Sequence, residues 1–279
     1  MIKLVYAILI LLSLAAPAVA GERIAQEKLS HIHGLAPDAA HPKSLFVATH
    51  HGLYRADPDG TAEKISQTSD DLMGFSAVPG SPGKFLASGH PPMGGNLGVI
   101  ASSDGGVSWS QVSPGNNGPV DFHAMDISKA DPKVIYGHFG KIQVSRNGGM
   151  SWKTAAQAPE GLIALGAGAK DANTLYAATK SGLMISRDGA QSWTRAHPSS
   201  LPVSSILVMA DGTVYAFLYG EGLIKGSEGS DVWTIQGKAD GDWALFNLTG
   251  ESTRLYAKKS NAGLVQSDDG GKSWKAFGK

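Results

Sequence analysis

The stretch Ser102-Ser103-Asp104-Gly105-Gly106-Val107-Ser108-Trp109 indicates the fold, because close copies of it return along the chain at an almost constant spacing. The copies span residues 145–152, 186–193 and 267–274, and a weaker copy ends at Trp233. Successive tryptophans of the series lie 43, 41, 40 and 41 residues apart. A period of this size predicts a solenoid or a propeller.

Each repeat also contains a constant order of short apolar segments. In the fourth unit these are Leu162-Ile163-Ala164-Leu165, Leu175-Tyr176-Ala177 and Gly182-Leu183-Met184-Ile185, with turn residues between them and a last strand after the tryptophan. Four short strands separated by turns predict one antiparallel propeller blade. The sequence therefore predicts an all-β, six-bladed β-propeller of four-stranded antiparallel blades, with units at 30–69, 70–118, 119–160, 161–200, 201–240 and 241–279.

The repeated phrase resembles the Asp-box, or BNR repeat, of sialidase-like propellers, which also occurs in sortilin-type receptors and in photosystem assembly factors. Exported bacterial proteins that resemble this group are often labelled glycosyl hydrolases. We interpret the phrase as structural, because Asp or Asn can bond its own turn and the following Gly tolerates positive φ. The residues assigned to this role are Ser102, Asp104, Gly106, Trp109, Ser145, Asn147, Gly149, Trp152, Ser186, Asp188, Trp193, Ser267, Asp269, Gly271 and Trp274.

The first twenty residues predict a cleaved signal peptide. Lys3 precedes an apolar run from Leu4 to Ala16, and Ala18-Val19-Ala20 is a small-residue cleavage site. We therefore expect residues 21–279 to form a single domain that is periplasmic or secreted and monomeric. No later stretch is apolar enough to span a membrane.

Composition excludes several classes of function. The formal net charge is zero, so nucleic acid or an anionic membrane surface is not an expected partner. The chain has no cysteine, so disulfides do not stabilise the fold. No Gly-rich phosphate loop follows a strand and opens a helix, which leaves nucleotide chemistry without support.

The order of strands in a blade predicts that most histidines gather on one rim. The starts of first strands and the ends of second strands share that rim, opposite the repeated turns, and seven histidines from the first three units fall there. Imidazole is the commonest neutral metal ligand, and thioether sulfur nearby favours copper. The candidate metal ligands are His31, His33, His50, His51, His90, His123 and His138, with Met93, Met125 and Asp121 as additional candidates.

Within this set His33, His123, His90 and His50 are expected to contribute most. The alternative interpretation is a channel lined with hydrated polar side chains, with methionine acting as packing. The ligand is accordingly expected to be a metal ion, with copper first, or another small ligand.

The sialidase resemblance implies an arginine triad, a Tyr–Glu nucleophile pair and an acidic Asp. Arg146, Arg187 and Arg254 fall toward the opposite rim, so that triad is not assembled. A different glycosidase needs two carboxyl groups beside the sugar, and the weak catalytic candidates are Asp71, Tyr219 and Glu221. We expect a binding protein rather than an enzyme. The alternatives are a glycoside hydrolase of sialidase-like fold and an assembly or interaction scaffold for an envelope protein.

Overall fold

The computed structural model describes residues 21–239 and 241–278, and the predicted signal peptide, residues 1–20, lies outside the described residues. Within them, strands alternate with turns, and the one helical segment is a short 3-10 turn at Gln26–Lys28. The strands form six antiparallel sheets. No helix in the described ranges is long and apolar enough to cross a membrane.

Each sheet takes its strands from one continuous stretch of chain. The first sheet contains β1 (Arg23–Ala25), β2 (Ile32–Pro37), β3 (Leu45–Thr49), β4 (Gly52–Ala56) and β5 (Thr61–Lys64). The second contains β6 (Asp71–Ala77), β7 (Phe85–His90), β8 (Val99–Ser102) and β9 (Ser110–Ser113). The third contains β10 (Ala124–Ile127), β11 (Ile135–Phe139), β12 (Lys141–Ser145) and β13 (Lys153–Gln157).

The remaining sheets repeat the same order. The fourth contains β14 (Leu162–Ala167), β15 (Leu175–Thr179), β16 (Gly182–Ser186) and β17 (Thr194–Arg195). The fifth contains β18 (Val203–Val208), β19 (Thr213–Leu218), β20 (Gly222–Ser227) and β21 (Trp233–Lys238). The sixth contains β22 (Leu245–Glu251), β23 (Arg254–Lys259), β24 (Leu264–Ser267) and β25 (Lys275–Ala276). The predicted six-bladed, all-β propeller is confirmed.

The six sheets form a closed ring. The first strands of neighbouring blades contact one another in chain order, from β2 through β6, β10, β14 and β18 to β22, and β22 contacts β2. Second strands such as β3 and β15 are buried along their whole length. Their continuous apolar sequences follow from this position, because a neighbouring blade covers each face.

The ring closes between the sixth and first blades through side-chain packing. Tyr256, Leu264 and Phe277 of the last blade pack in one cluster with Leu35 and Leu45 of the first. The N-terminal strand β1 does not complete the sixth blade. It pairs with β5, with Arg23 opposite Glu63, and makes a fifth strand in the first sheet.

The repeated turns connect the third and fourth strands of the blades. In the second blade, Ser102 Oγ accepts a hydrogen bond from the Gly106 N–H at 2.9 Å and donates one to Asp104 Oδ1 at 2.8 Å. Asp104 Oδ1 in turn accepts the Ser108 N–H at 3.0 Å. In the sixth blade, the Ser273 hydroxyl and then its N–H hold the pKa of Asp269 well below its usual value. These carboxylates are therefore occupied by their own turns.

The turns of the fourth and fifth blades depart from the pattern that Gly106 shows in the second blade. Gly106 has φ of +87°, and a Cβ there would lie 2.1 Å from Leu53 Cδ2 of the preceding blade. Ala190 occupies the corresponding place in the fourth blade at φ of 69°, a conformation that costs free energy for any residue with a Cβ. In the fifth blade, Glu228 instead bonds the backbone N–H groups of Ala169, Lys170 and Asp171.

Replacement of Ser102 by alanine tests the turn chemistry. We expect Ser102→Ala to lower the free energy of unfolding by about 1–3 kcal/mol, because the buried Gly106 N–H loses its acceptor. Ser103→Ala is the matched control, since Ser103 is exposed in the same turn. Equal stabilities for both variants in denaturant titrations would contradict this account of the turn.

Candidate functional site

One rim of the propeller carries six histidines from the first three blades. We call it the histidine rim and define it by His31, His33, His50, His90, His123 and His138. In the first blade, His33 lies at the start of β2 and His50 directly follows β3. In the second, Asp71 begins β6 and is the register partner of His90 at the end of β7. Antiparallel pairing thus brings strand starts and ends to the same edge.

Asp71 lies at the centre of the largest histidine group. Its Oδ1 is 3.2 Å from His33 Nε2, and its Oδ2 is 3.4 Å from His50 Nε2 and 3.3 Å from His90 Nε2. The Asp71 side chain is only 5% exposed. Ligand-type atoms of His33, His50 and Asp71 all lie within 4.8 Å of one another. The carboxylate therefore joins two blades through their imidazoles.

Glycines permit the close approach of the strands at this site. Gly89 has φ of +114°, and a Cβ there would lie 2.0 Å from the Asp71 carbonyl oxygen. Gly34, next to His33, would place a Cβ 2.8 Å from Phe75 Cβ on the adjacent β6. Side chains at these two positions would push Asp71 away from its histidine partners.

The cluster holds buried polar atoms that have no hydrogen-bond partner. His33 Nε2 and Asp71 Oδ1 are close, but they are not aligned as a hydrogen bond and both are unpaired. Among the described residues five buried side-chain N or O atoms are unpaired; two of them are in this group, and a third, Asp121 Oδ1, belongs to the third blade. Such atoms are costly to bury, so their concentration here indicates a place for a ligand.

The electrostatics of the cluster keep His33 neutral. Burial, followed by the positive charges of His50 and His31, lowers the pKa of His33 to about 4. A neutral imidazole retains a nitrogen lone pair that can bind a metal ion. Burial raises the pKa of Asp71, and the charges of His50 and His90 oppose that shift.

Ring stacking restrains the histidines of the first blade. The His50 ring lies between those of His31 and His33, with centroid distances of 4.5 Å and 4.6 Å. These ring contacts restrict the positions of His33 Nε2 and His50 Nε2 relative to Asp71.

A second carboxylate–histidine pair lies on the third blade. His123 Nε2 is 3.0 Å from Asp121 Oδ2, and both residues precede β10. Burial, followed by the charge of His123, lowers the pKa of His138, the register partner of Ala124 on β11. His123, expected to join His33, thus forms its own pair with Asp121.

Several of the candidate ligands lie apart from Asp71. His51 is exposed in the turn after β3, where its N–H donates to Thr49 Oγ1. Met93 is 95% exposed in the segment between β7 and β8. Met125 packs in an apolar cluster with Phe122 and Trp152. The geometry therefore presents imidazole nitrogen and carboxylate oxygen to a ligand, without thioether sulfur.

The carboxylates considered for glycosidase chemistry lie on opposite sides of the ring. Asp71 belongs to the second blade, whereas Tyr219 and Glu221 lie between β19 and β20 of the fifth. Glu221 Oε1 accepts a hydrogen bond from Ser199 Oγ at 3.0 Å. Asp71 and Glu221 therefore do not flank a common sugar position. The sequence analysis placed Asp71 among the catalytic candidates and did not predict that it lies between the histidines. The pairing of Asp71 with His90 across one hairpin could have indicated that position.

The histidine rim opens into an axial cavity of about 920 Å³. His31, His33 and His123 line its near end, and the first strands of the blades form its wall. His33 is the member of the Asp71 group that lines this cavity, and the His50 and His90 side chains are partly exposed, which is consistent with a binding site rather than with a sealed core.

Comparison with known proteins gives a family match and a fold. A family model described as the DUF6242 beta propeller domain matches residues 94–279, about two thirds of the chain. The matched segment includes Asp121, His123 and His138. It begins after His33, His50, Asp71 and His90, which lie outside it. No curated protein matches the sequence.

Solved structures share the architecture at low sequence identity. The GH74 enzyme of Niastella koreensis has a TM-score of 0.62 and 14% identity over 88% of this chain and 45% of its own. A structure described as YCF48 bound to D1 peptide has a TM-score of 0.57 and 16% identity over 94% of this chain and 85% of its own. XC5397 of Xanthomonas campestris, described as a gluconolactonase, has a TM-score of 0.58 and 14% identity over 84% of this chain and 85% of its own.

This chain thus spans less than half the length of the GH74 enzymes that it resembles, 45% and 46% of two of them. At these identities the similarity shows the fold alone, and any activity must be argued from the side chains of this protein.

The low pKa of His33 leads to a measurable pH dependence. Between pH 6.5 and about 4 the unfolded chain binds a proton at His33 that the folded chain does not. The free energy of unfolding should therefore decrease as the pH falls through this window. NMR titration of the metal-free protein should show the His33 ring neutral until about pH 4, and His33→Gln should reduce the loss of stability. A His33 midpoint near 6.5 would contradict the assignment.

Proposed function

Because the chain belongs to the family described as the DUF6242 β-propeller domain, a fold that assigns no activity by itself, we propose its function from the Asp71 cluster. The protein is an exported binding protein that holds a divalent transition-metal ion between its first two blades. The single observation that carries this proposal is the convergence of His33, His50 and Asp71 within 4.8 Å, with two of the facing atoms buried and unpaired.

A bound cation accounts for the features that the protein alone leaves unsatisfied. His33 Nε2 and Asp71 Oδ1 lie 3.2 Å apart without a hydrogen bond between them. When His33 Nε2 carries its lone pair, a cation placed between this nitrogen and the carboxylate oxygen is attracted to both. Within the described residues no lysine or arginine pairs with Asp71, so a metal ion supplies the missing positive charge.

The donor set favours borderline metals over hard ones. His33, His50 and His90 offer nitrogen and Asp71 offers oxygen, a combination that suits copper, zinc and nickel better than calcium or magnesium. Copper is the first choice, since Cu²⁺ binds such sites most tightly among the divalent metals of its row. Zinc is the principal competitor, because tetrahedral sites of imidazole and carboxylate are common for it.

Export is the second element of the proposal. Residues 1–20 have the basic start, apolar run and small-residue site of a signal peptide. A periplasmic or secreted location brings the protein into contact with copper outside the cytoplasm. Intact-mass analysis of protein purified from cells is expected to give a chain beginning at Gly21, and a retained Met1 would oppose export by this route.

The repeated turns support the proposal that, among β-propellers, this protein is related to the Asp-box group. Serine and aspartate bond the turn backbone in the same way in the second, fourth and sixth blades. We extend the relationship to architecture only. The catalytic groups of a sialidase are not part of the proposal, since the arginines of the turns lie on the rim opposite the histidines.

Metal binding is tested with a pair of adjacent histidines. We expect His50→Ala to weaken Cu²⁺ binding by at least about tenfold, because it removes a nitrogen beside Asp71. His51→Ala is the matched control, since His51 is exposed and lies apart from the carboxylate. Isothermal titration of metal-free protein measures both affinities. Equal affinities for the two variants, or no binding by the wild type, would refute the proposed site.

Replacement of Asp71 by asparagine should affect the melting temperature and the binding of metal in different ways. Asp71→Asn keeps the shape but removes a buried charge, so we expect the metal-free variant to melt at or above the wild-type temperature. Metal at about 100 times the Kd adds about 2.7 kcal/mol to the wild type, or a rise of roughly 5–10 °C. That rise should be absent from Asp71→Asn. A variant that is destabilised yet still responds fully to copper would argue against a ligand role.

A second candidate function is recognition of a protein partner at the same rim. Phe139 ends the second strand of the third blade, Tyr219 follows that of the fifth, and both are exposed, as is Met93. The peptide-bound YCF48 structure adds support from a related fold. A partner captured from envelope extract should be lost with Phe139→Asp and kept with Asp71→Asn. The reverse result would favour recognition through the metal site.

A further inference from the structure

We propose that the axial cavity binds a small organic carboxylate, with its apolar body among the first strands of the blades and its anionic head beside Lys258. This inference goes beyond metal binding, because Lys258 and most of the cavity wall lie outside the Asp71 group. Two features carry it: a ring of apolar side chains around the cavity, and a lysine in the cavity wall that has no carboxylate partner.

A ring of large apolar side chains surrounds the cavity. The strand register gives Leu35, Met125, Leu165 and Ile206 equivalent places on the first strands of their blades, opposite the same position of the second strand. With the corresponding residues of the second and sixth blades, this apolar ring consists of Leu35, Phe75, Met125, Leu165, Ile206 and Leu248. All six line the cavity and are 6–8% exposed. Each blade therefore presents apolar surface to an occupant of the axis.

The cavity has the size and composition of a small-molecule site. Its volume of about 920 Å³ falls within the range of about 300–1,000 Å³ that is usual for ligand pockets, which are mostly apolar with a few polar groups. Poorly ordered water beside apolar side chains is displaced favourably by an apolar group. The apolar ring therefore favours a ligand with an apolar body.

Lys258 places an ammonium group at the histidine-rim end of the cavity. It lies near the end of β23, opposite Phe246 near the start of β22, and both residues line the cavity. Lys258 Nζ donates to the carbonyl oxygens of Lys259 at 2.7 Å and of Ala262 at 3.2 Å. These carbonyls hold the ammonium in place and use two of its three N–H groups.

The distribution of charge along the cavity favours an anionic head at this end. Lys129 also lines the cavity, but it is paired with Asp126 at 2.6 Å. Among the described lysines, those in ion pairs with carboxylates are Lys129 and Lys275, so the charge of Lys258 is not compensated in this way. Burial lowers the pKa of Lys258. A carboxylate from a ligand would offset the cost of burying this charge.

The carboxylates of the cavity wall lie toward its other end. They are Asp126, near the end of β10, and Glu251, the last residue of β22. First strands begin at the histidine rim, so their ends approach the opposite rim. An anionic head near Lys258 is thus separated from both of these negative charges.

Phe246 links the charged end of the cavity to the apolar ring. Its side chain is 38% exposed, and it lies two residues before Leu248 on β22. Because a strand rises about 3.3 Å per residue, the level of Lys258 and Phe246 is separated from the ring by roughly 7 Å. A carboxylate with a medium-length alkyl body therefore reaches Lys258, Phe246 and the ring together.

Octanoate is the probe for this site, and octanamide is its neutral analogue. Each is titrated into metal-free mature protein that carries ¹³C-methyl methionine, and the methyl resonances are followed by NMR. Met125 reports from the apolar ring, and Met93, which is 95% exposed, is the internal control. We expect octanoate to shift the Met125 resonance to saturation and to leave Met93 unchanged. Octanamide should bind at least about tenfold more weakly, because it lacks the charge that pairs with Lys258.

Two variants separate the anionic head from the apolar body. Lys258→Gln should weaken octanoate binding at least about tenfold and change octanamide binding little. Lys141→Gln is the matched control, since Lys141 is exposed at the same rim and lies outside the cavity wall. Phe246→Ala should weaken both ligands about threefold or more, because apolar contact is lost. Thermal unfolding verifies that each variant is folded.

Each contrary result overturns a specific statement. No shift of Met125 in a protein that binds Cu²⁺ refutes the cavity site and leaves the proposed function intact, whereas octanoate binding by a protein that binds no metal refutes the proposed function and supports the cavity site. Equal affinities of the wild type and Lys258→Gln, or binding that requires added Zn²⁺, refute Lys258 as the partner of the head. The comparison of octanoate with octanamide uses the wild type alone, so it decides the role of charge should a variant fail to fold.

Discussion

Face-to-face packing of neighbouring blades is the constraint on which the candidate site depends. His33 and His50 belong to the first blade, whereas Asp71 and His90 belong to the second. Between these blades Phe46, Leu53, Phe75 and Phe85 pack in one apolar cluster. The cluster fixes the spacing of the two sheets, because closely packed aromatic side chains tolerate little relative movement. The 3.2 Å approach of His33 to Asp71 is therefore a consequence of apolar packing beneath the rim.

The same packing allows the rim to keep an arrangement that is unfavourable in isolation. A carboxylate beside several imidazoles, with unpaired buried oxygens, lowers stability unless a ligand is bound. A closed ring of six blades has enough apolar burial to tolerate this cost. Sites whose buried polar groups lack hydrogen-bond partners within a well-packed fold are the expected places for function. The two carboxylates of the rim meet that description, whereas those of the repeated turns are satisfied by serine and backbone donors.

Fold similarity and side-chain chemistry give different kinds of information about this protein. The GH74, YCF48 and gluconolactonase structures share its architecture at 14–16% identity, which establishes the blades and leaves the ligand open. The family match begins at residue 94, so it contains the Asp121 group and lacks the Asp71 group. Metal binding is consequently an argument from the donors of this chain.

The sequence by itself determined the blade count, the strand order and the rim to which the histidines belong, because these follow from a period of 40–43 residues and from alternating chain direction. It did not predict the added strand β1 or the central place of Asp71. Those outcomes depend on register within a hairpin, as in Asp71 opposite His90, and on contact between blades, as in His33 against Asp71. Only the tertiary structure decided which donors meet, since a shift of a few ångströms between sheets changes every ligand distance while leaving the repeat pattern unchanged.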